Sequence, residues 1–202
     1  MTKNSDEALT QSRRGTPPTG CREGQDEAEP RTDRLPSTAP LKDDPIYQAT
    51  FLRIKEILDK NHIDYNHIQH EFVHRSEEAA KIRGSKYEEA AKALILKGDN
   101  DIVMAVVPGP QRMDYRLLRK EIGFKKLSLA SPDDVKAKTG LTIGSVPPFG
   151  NLWNIPVYVE ESLLHNEYMV FSAGSHHDSI RLKVQDYLKV VPAKVLTFRR
   201  ID

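Results

Sequence analysis

The sequence has little cysteine, few aromatic residues and almost no net charge. Its 202 residues contain one cysteine, Cys21, which excludes a disulfide framework and any metal site built from several cysteines. Lysine and arginine total 30 against 29 for aspartate and glutamate, so the formal charge of +1 indicates no class of partner. No apolar run approaches the roughly 18 residues that cross a bilayer, and the N-terminus has no apolar secretory core. We therefore expect a cytoplasmic protein.

The first 45 residues lack the side chains that build a core. They contain no Phe, Trp or Tyr, they include six prolines, and their large aliphatic residues are Met1, Leu9, Leu35 and Leu41. Such a segment buries too little apolar surface to offset the entropy lost on ordering. We predict a disordered N-terminal leader over residues 1–45 and one folded domain over residues 46–202.

The remainder alternates between helical and strand patterns. Apolar spacing, caps and terminal glycines predict helices at 46–61, 76–84, 113–123, 131–140 and 185–190. Apolar runs bounded by turn residues predict a hairpin over 92–109 and further strands at 64–74, 126–130, 155–164, 167–174, 179–184 and 193–198. Mixed strands and short helices predict a single α/β or α+β domain.

The segment His70–His74 has the HExxH pattern of zinc peptidases. On a helix the two histidines would share one face, with Glu71 placed as a general base. The context favours an extended segment, because Ser76 is a candidate N-cap of the next helix and the preceding helix ends near Asn61. A zinc peptidase is therefore the less favoured alternative.

Lys92 stands at the start of a predicted strand. In that strand it shares a face with Leu94 and Leu96. A lysine on the side of two leucines either extends its amine to solvent at the strand's end or points into a pocket. The residues alone leave both alternatives open.

Residues 144–150, GSVPPFG, predict a stiff loop with almost no reactive side chains. Gly144 permits backbone angles closed to other residues and lets a ligand approach the main chain. Pro147 and Pro148 fix φ at about −65° and carry no amide hydrogen, and Phe149 offers an apolar wall. Such a loop can present main-chain N–H groups to a carbonyl oxygen with little reorganisation. The alternative is an ordinary rigid turn.

Three segments, taken in order, resemble the YbaK/prolyl-tRNA synthetase-associated domain family: AAKIRG…EEAAKALILKGD, LLRKEIGFKKLSLASPDDVKAKTGLTIGSVPPFG and VYVEESLLHNEYMVFSAGS…SIRLKVQDYLKV. The resemblance covers roughly residues 46–191. It implies a mixed, partly open β-barrel flanked by short helices and hydrolysis of mischarged aminoacyl-tRNA, notably tRNA(Pro) carrying alanine or cysteine. It implies no metal or other cofactor. The alternative is a non-catalytic module of the same fold that binds aminoacyl or nucleotide-like ligands or another protein.

The resemblance assigns catalytic roles to Lys92 and Gly144. It implies that Lys92 neutralises a phosphate of the terminal adenosine and that the Gly144 backbone positions the ester carbonyl for attack by water. It also implies that the loop 173–179 forms a wall of the pocket, where Ser179 replaces an acidic residue that many bacterial members carry. The candidate substrate-binding residues are Ser145, Pro148, Phe149, Ser172, Gly174, His176, His177 and Ser179.

Basic clusters suit an RNA substrate. The predicted domain carries a modest net charge of +3, with candidate contacts at Arg112, Arg116, Arg119, Lys120, Lys125 and Lys126. These residues form either one patch beside the site or solvated helix faces, the usual explanation for charge runs. The predicted partners are the acceptor end of aminoacyl-tRNA and an aminoacyl-tRNA synthetase of the kind that some relatives recruit.

Overall fold

The computed structural model describes residues 45–72, 81, 84–99 and 101–200. The predicted leader over residues 1–45 lies outside this part of the chain except for Pro45. The helix predicted over 76–84 lies outside it except for Lys81 and Gly84.

Four helices lie in the described part of the chain: α1 (Pro45–Lys60), α2 (Tyr115–Ile122), α3 (Pro132–Thr139) and α4 (Val184–Val190). The predicted end of α2 and both predicted ends of α3 are confirmed. Ser131 forms a capping box with Asp134 at the start of α3, and Gly123 and Gly140 end α2 and α3 at φ values of +75° and +77°. None of the described helices is long and apolar enough to cross a membrane.

The described strands form two sheets. In chain order they are β1 (Tyr65–Gln69), β2 (Ala91–Gly98), β3 (Asp101–Pro108), β4 (Ser128–Leu129), β5 (Val157–Glu160), β6 (Tyr168–Ser172), β7 (Asp178–Lys183) and β8 (Ala193–Leu196). One sheet has the order β4-β2-β3-β5-β8 and contains the predicted hairpin, and the other has the order β1-β7-β6. The β3, β5 and β8 strands are parallel, whereas the other pairs are antiparallel. The mixed architecture confirms the predicted fold class.

An isolated parallel bridge between Ala90 and Val170 joins the two sheets. Two residues that pair across neighbouring strands point their side chains to the same face of the sheet. Within one strand, residues i and i+2 also share a face. Ser172 and Ser179 are a cross-strand pair of β6 and β7 and therefore lie on one face. Through the bridge, this face continues the face of β2 that carries Lys92. The described strands form these two sheets and do not close into a barrel.

Two hydrophobic clusters pack on the sheets. The larger contains Ile54 of α1 together with Phe149, Phe171 and Tyr187, and the smaller contains Leu96, Leu118 and Phe198. Leu94 and Leu96 both pack in the smaller cluster, as expected for residues on one face of β2.

The strand predicted over 155–164 was wrong in its second half. Strand β5 ends at Glu160, and a 3₁₀ helix, Glu161–His165, follows. The buried carboxylate of Glu160 accepts hydrogen bonds from the N–H groups of Ser162 at 3.3 Å and Phe198 at 2.6 Å, so its side chain caps the turn that ends the strand. The strand predicted over 126–130 is likewise reduced to Ser128–Leu129.

Candidate active site

The loop that begins at Gly144 is fixed by hydrogen bonds to two other segments. Ser145 has no exposed surface. Its N–H and its hydroxyl both donate to the carbonyl oxygen of Thr142, at 3.2 and 2.9 Å. Its own carbonyl oxygen accepts from the N–H of Gly174 at 3.1 Å. The Gly144 loop and the loop 173–178 are therefore joined through their main chains.

Gly144 lies directly against the ring of His176. Its φ is +90°, a conformation that L residues with a side chain rarely adopt, and a Cβ placed on it would lie 2.9 Å from Cε1 of His176. The His176 ring is nearly buried, at 7% exposure, with Nε2 3.3 Å from Oγ1 of Thr142 and its centroid 5.1 Å from that of Phe72. Only glycine fits this position without displacing the ring.

The other end of the loop is anchored in the core. The carbonyl oxygen of Pro148 accepts a 2.6 Å hydrogen bond from the Tyr187 hydroxyl. Burial raises the pKa of Tyr187 well above its usual value, so its hydroxyl stays a neutral donor. Phe149 is fully buried, with its ring 5.6 Å from that of Phe171 and 5.7 Å from that of Tyr187. The structure thus shows Phe149 as a core residue, and its contact with a substrate stays a prediction.

Asp178 holds the loop that carries the two histidines. Its carboxylate accepts from the Ser175 hydroxyl at 2.7 Å and lies 2.8 Å from Nε2 of His67. Burial raises the pKa of Asp178, but the hydrogen bonds from Ser175, His67 and Gln69 outweigh it and lower the pKa below its usual value. On the same loop, Gly174 has a φ of +102° and packs against Thr50 of α1.

The structure distinguishes the two histidines that the sequence left equivalent. His176 packs on Gly144, whereas the main-chain oxygen of His177 accepts from the N–H of His70 at 2.9 Å. The His177 ring lies beside Phe72 at 5.7 Å. Of the two, His176 is therefore the one in contact with the Gly144 backbone.

Ser179 forms a buried pair with His70. Its hydroxyl has no exposed surface and lies 2.7 Å from Nε2 of His70, while Nδ1 of His70 lies 2.7 Å from the Glu71 carbonyl oxygen. A carbonyl can only accept, so in the neutral ring Nδ1 donates and Nε2 accepts the Ser179 proton. Ser172, another predicted site residue, faces the same side from β6.

His70 does not lie on a helix, which the zinc-peptidase alternative requires. It follows β1 directly and lies outside any helix, and its N–H donates to the main-chain oxygen of His177. His74 lies outside the described residues. Among the residues that are described, no group of three His, Cys, Asp or Glu side chains is placed to hold a metal ion.

Lys92 is half-buried at the start of β2. Its amine donates to the carbonyl oxygen of Gln111 at 3.0 Å. Burial lowers the pKa of Lys92, and the nearby guanidinium of Arg112 lowers it further. These contacts and those around Gly144 form two separate groups, so the meeting of Lys92 and Gly144 on one substrate stays a prediction.

Sequence reasoning missed three residues of the site. Thr142 bridges Ser145 and His176, Phe72 packs on both loop histidines, and His70 binds Ser179. An open depression of about 620 Å³ is lined by Gln69, His70, Glu71, Phe72 and His177. Only the HExxH pattern had drawn attention to this segment, and it indicated a different chemistry.

Known proteins share this arrangement of segments. Residues 70–190 match the model of a family described as aminoacyl-tRNA editing domain. The chain is 32% identical over 157 residues to the multifunctional Ser/Thr-tRNA deacylase ProXp-y of Escherichia coli, across 75% of this chain and 94% of that protein. It is 25% identical over 115 residues to the proline–tRNA ligase of Thermosipho melanesiensis, across 57% of this chain and 20% of the ligase. A solved structure of a candidate trans-editing enzyme for prolyl-tRNA synthetase matches with a TM-score of 0.66 at 24% identity, across 75% of this chain and 98% of that one.

Proposed function

The chain belongs to the aminoacyl-tRNA editing domain family, and on this premise we propose that it hydrolyses the ester bond of mischarged aminoacyl-tRNA as a trans-acting deacylase. The observation that carries the proposal is the Gly144 backbone packed against His176 with no room for a Cβ. This contact fixes the main chain of the loop, and a fixed main chain can present N–H groups to an ester carbonyl with little reorganisation. The matched segment, residues 70–190, contains this loop, Lys92 and the histidine loop.

We assign to Lys92 the binding of a phosphate at the terminal adenosine. Its amine is partly withdrawn from water and oriented by the Gln111 carbonyl. A cation in a partly desolvated position gains more from an anionic partner than an exposed one does. The face that carries Lys92 also carries Ser172 and Ser179, which supports a phosphate position beside the proposed wall of the amino-acid pocket.

We assign to the Gly144 loop the binding of the ester carbonyl. A water oxygen attacks the carbonyl carbon, and the negative charge that develops on the carbonyl oxygen is stabilised by main-chain N–H groups of the loop. The C–O bond to the ribose then breaks, and the ribose oxygen leaves with a proton that the attacking water has given up. The products are the free amino acid and the tRNA. Because an aminoacyl ester is already activated, positioning and charge stabilisation supply much of the rate.

The polar lining favours a small amino acid that carries a hydroxyl. Thr142 Oγ1 lies 3.3 Å from both Ser145 Oγ and His176 Nε2. All three groups can donate or accept a hydrogen bond, so they suit a substrate that carries a hydroxyl. The relative named as a Ser/Thr-tRNA deacylase supports the same choice. We therefore place serine and threonine ahead of alanine and cysteine, and tRNA(Pro) stays the tRNA suggested by the match to a proline–tRNA ligase.

The proposal also concerns partner and location. A free-standing deacylase must meet mischarged tRNA before it is used, and association with a synthetase would provide that encounter. The match to one segment of a proline–tRNA ligase supports a synthetase partner, since there a segment similar to this chain is part of a ligase. The proposed substrate places the protein in the cytoplasm.

The test is a panel of labelled aminoacyl-tRNAs carrying serine, threonine, alanine, cysteine or proline. Loss of the ester is followed with and without protein, in the presence and absence of a chelator. We expect chelator-resistant hydrolysis of the small mischarged amino acids and little hydrolysis of prolyl-tRNA(Pro). Equal decay with and without protein across the panel would indicate the non-catalytic module, and loss of activity under chelator would indicate a metal enzyme.

A further inference from the structure

Of the basic residues that the sequence offered either as one patch or as solvated helix faces, Lys125 and Lys126 lie apart from Arg112 in the structure. The N–H groups of Lys125 and Lys126 donate to the carboxylate of Asp99 at 3.0 and 3.1 Å, in the turn of the β2–β3 hairpin. Lys92 lies at the opposite end of β2, about 20 Å away at roughly 3.3 Å per residue. The lysine pair at the hairpin turn therefore does not belong to the surroundings of Lys92.

The second group is assembled from two distant parts of the chain. The main-chain N–H of Arg200 donates to the carbonyl oxygen of Arg112 at 2.7 Å. The main-chain N–H of Asp114 donates to the carbonyl oxygen of Phe198, also at 2.7 Å. Met113 forms an antiparallel bridge with Arg199. The end of the described chain is thereby laid alongside Arg112, and Arg112 is close enough to Lys92 to lower its pKa.

Several cations gather around a single carboxylate within this group. Asp114 caps α2 by accepting from the N–H groups of Arg116 and Leu117 at 2.7 and 3.2 Å. These hydrogen bonds lower the pKa of Asp114, and the charges of Arg116 and Arg200 lower it further. The Nε of Arg116 lies 3.9 Å from the Asp114 carboxylate, and Arg200 acts on the same carboxylate.

We propose that Arg112, Arg116 and Arg200 form a phosphate-binding surface for the acceptor stem of the substrate tRNA, continuing outward from Lys92. The inference rests on the proposed function and names the surface by which its substrate is held. Arginine suits this role because its planar guanidinium binds two phosphate oxygens at once. A nucleic-acid backbone fits better than an acidic protein, since the site at Lys92 already calls for a phosphate and the stem phosphates follow at regular spacing.

The test measures binding of uncharged tRNA at salt concentrations from about 50 to 300 mM. The triple variant Arg112→Gln, Arg116→Gln, Arg200→Gln should lose roughly tenfold or more in affinity, and its salt slope should fall by about one for each phosphate contact removed. The matched control, Lys125→Gln with Lys126→Gln, should stay within about twofold of the wild type. The triple Arg→Lys variant should recover most of the slope, and melting curves report any loss of folding.

An unchanged salt slope in the triple Gln variant would overturn the proposal, and so would an equal loss in the lysine control. Poly-glutamate that binds as tightly as tRNA, with the same dependence on the three arginines, would also overturn it, in favour of an acidic protein partner. The two measurements would give a different result if the proposed function, rather than the binding surface, were wrong. In that case no ester is hydrolysed, while binding of uncharged tRNA still depends on the three arginines.

A second readout compares substrates of two lengths. Hydrolysis rates are measured on full aminoacyl-tRNA and on the matching aminoacyl-adenosine, which lacks a stem. The proposal requires that the triple Gln variant lose at least about tenfold more on the tRNA than on the short ester. Equal losses on the two substrates would show damage at the reacting centre and would contradict a stem-binding role.

Discussion

The hydroxyl of Tyr187 in α4 donates a 2.6 Å hydrogen bond to the main-chain oxygen of Pro148 in a fully buried setting. This contact ties the end of the glycine–proline loop to the last helix of the fold. The start of the loop is tied separately, through Ser145 and Gly174. The main chain between the two anchors is therefore held in place before any substrate arrives.

Replacing Tyr187 by Phe should weaken both the fold and the loop. The Pro148 carbonyl would lose its buried donor, which costs about 1–3 kcal/mol of unfolding free energy. We expect kcat/KM to fall as well, since the loop loses one anchor. Denaturant unfolding and deacylation rates check this, with Tyr158→Phe, on β5, as a control that should change stability by less than about 0.5 kcal/mol. If Tyr187→Phe were as stable as the wild type, the hydrogen bond to Pro148 would not be needed to hold the loop.

Gly144→Ala should lower activity more than stability. The added methyl group meets the His176 ring and strains a backbone at a φ of +90°, which costs roughly 1–2 kcal/mol of stability. Displacement of the main-chain donors that we assign to the loop should cost about 2–4 kcal/mol of transition-state stabilisation. Gly123→Ala is the matched control, because its φ is +75° and a Cβ there would contact nothing within 4 Å. If the control loses activity to the same extent, backbone strain rather than the His176 contact explains the effect.

The pH dependence of deacylation should report Lys92. Only the ammonium form binds phosphate, and burial followed by Arg112 lowers the pKa of Lys92. Activity should therefore fall on the alkaline side with a midpoint below about 10.4, the value of an exposed lysine. Arg112→Gln should move the midpoint upward, because it removes a cation that lowers the pKa. Rates are corrected for spontaneous ester loss, and a midpoint that does not respond to Arg112→Gln would argue against Lys92 as the titrating group.

Removal of residues 1–44 should leave the domain intact. Helix α1 begins at Pro45, and its buried side chains, Tyr47, Thr50, Ile54 and Leu58, are all retained. We expect the melting temperature and deacylation rate of the shortened protein to match those of the full chain. A clear loss of either would assign the leader a structural or substrate-binding role.

Local patterns in the sequence were enough to predict the elements that position the site. Ser131 and Gly140 marked the ends of α3, and alternation along β2 placed Lys92 on the face of Leu94, because caps and strand periodicity depend on residues close in sequence. The pairing of Ser145 with Gly174 depends on how two distant loops meet, which no local pattern records.

The sequence could not distinguish the two histidines for the same reason, because their difference depends on contacts with distant residues. His176 and His177 are adjacent and chemically identical, and only the packing of Phe72 and Gly144 distinguishes them. The roles of Phe149 and His70 also depend on tertiary packing. Phe149 packs into the core beside Tyr187, and His70 reaches Ser179 across a strand ladder.

The most direct test of the account is a single-turnover measurement with protein in excess over labelled seryl-tRNA, comparing the wild type with Lys92→Met. We predict that the wild type shortens the lifetime of the ester far below its spontaneous value. The variant should be slower by about 100-fold or more while its melting temperature stays the same or rises, because a partly desolvated charge has been removed. Wild-type protein that leaves the lifetime of seryl-tRNA, and of every other charged tRNA supplied, at its spontaneous value would contradict the account.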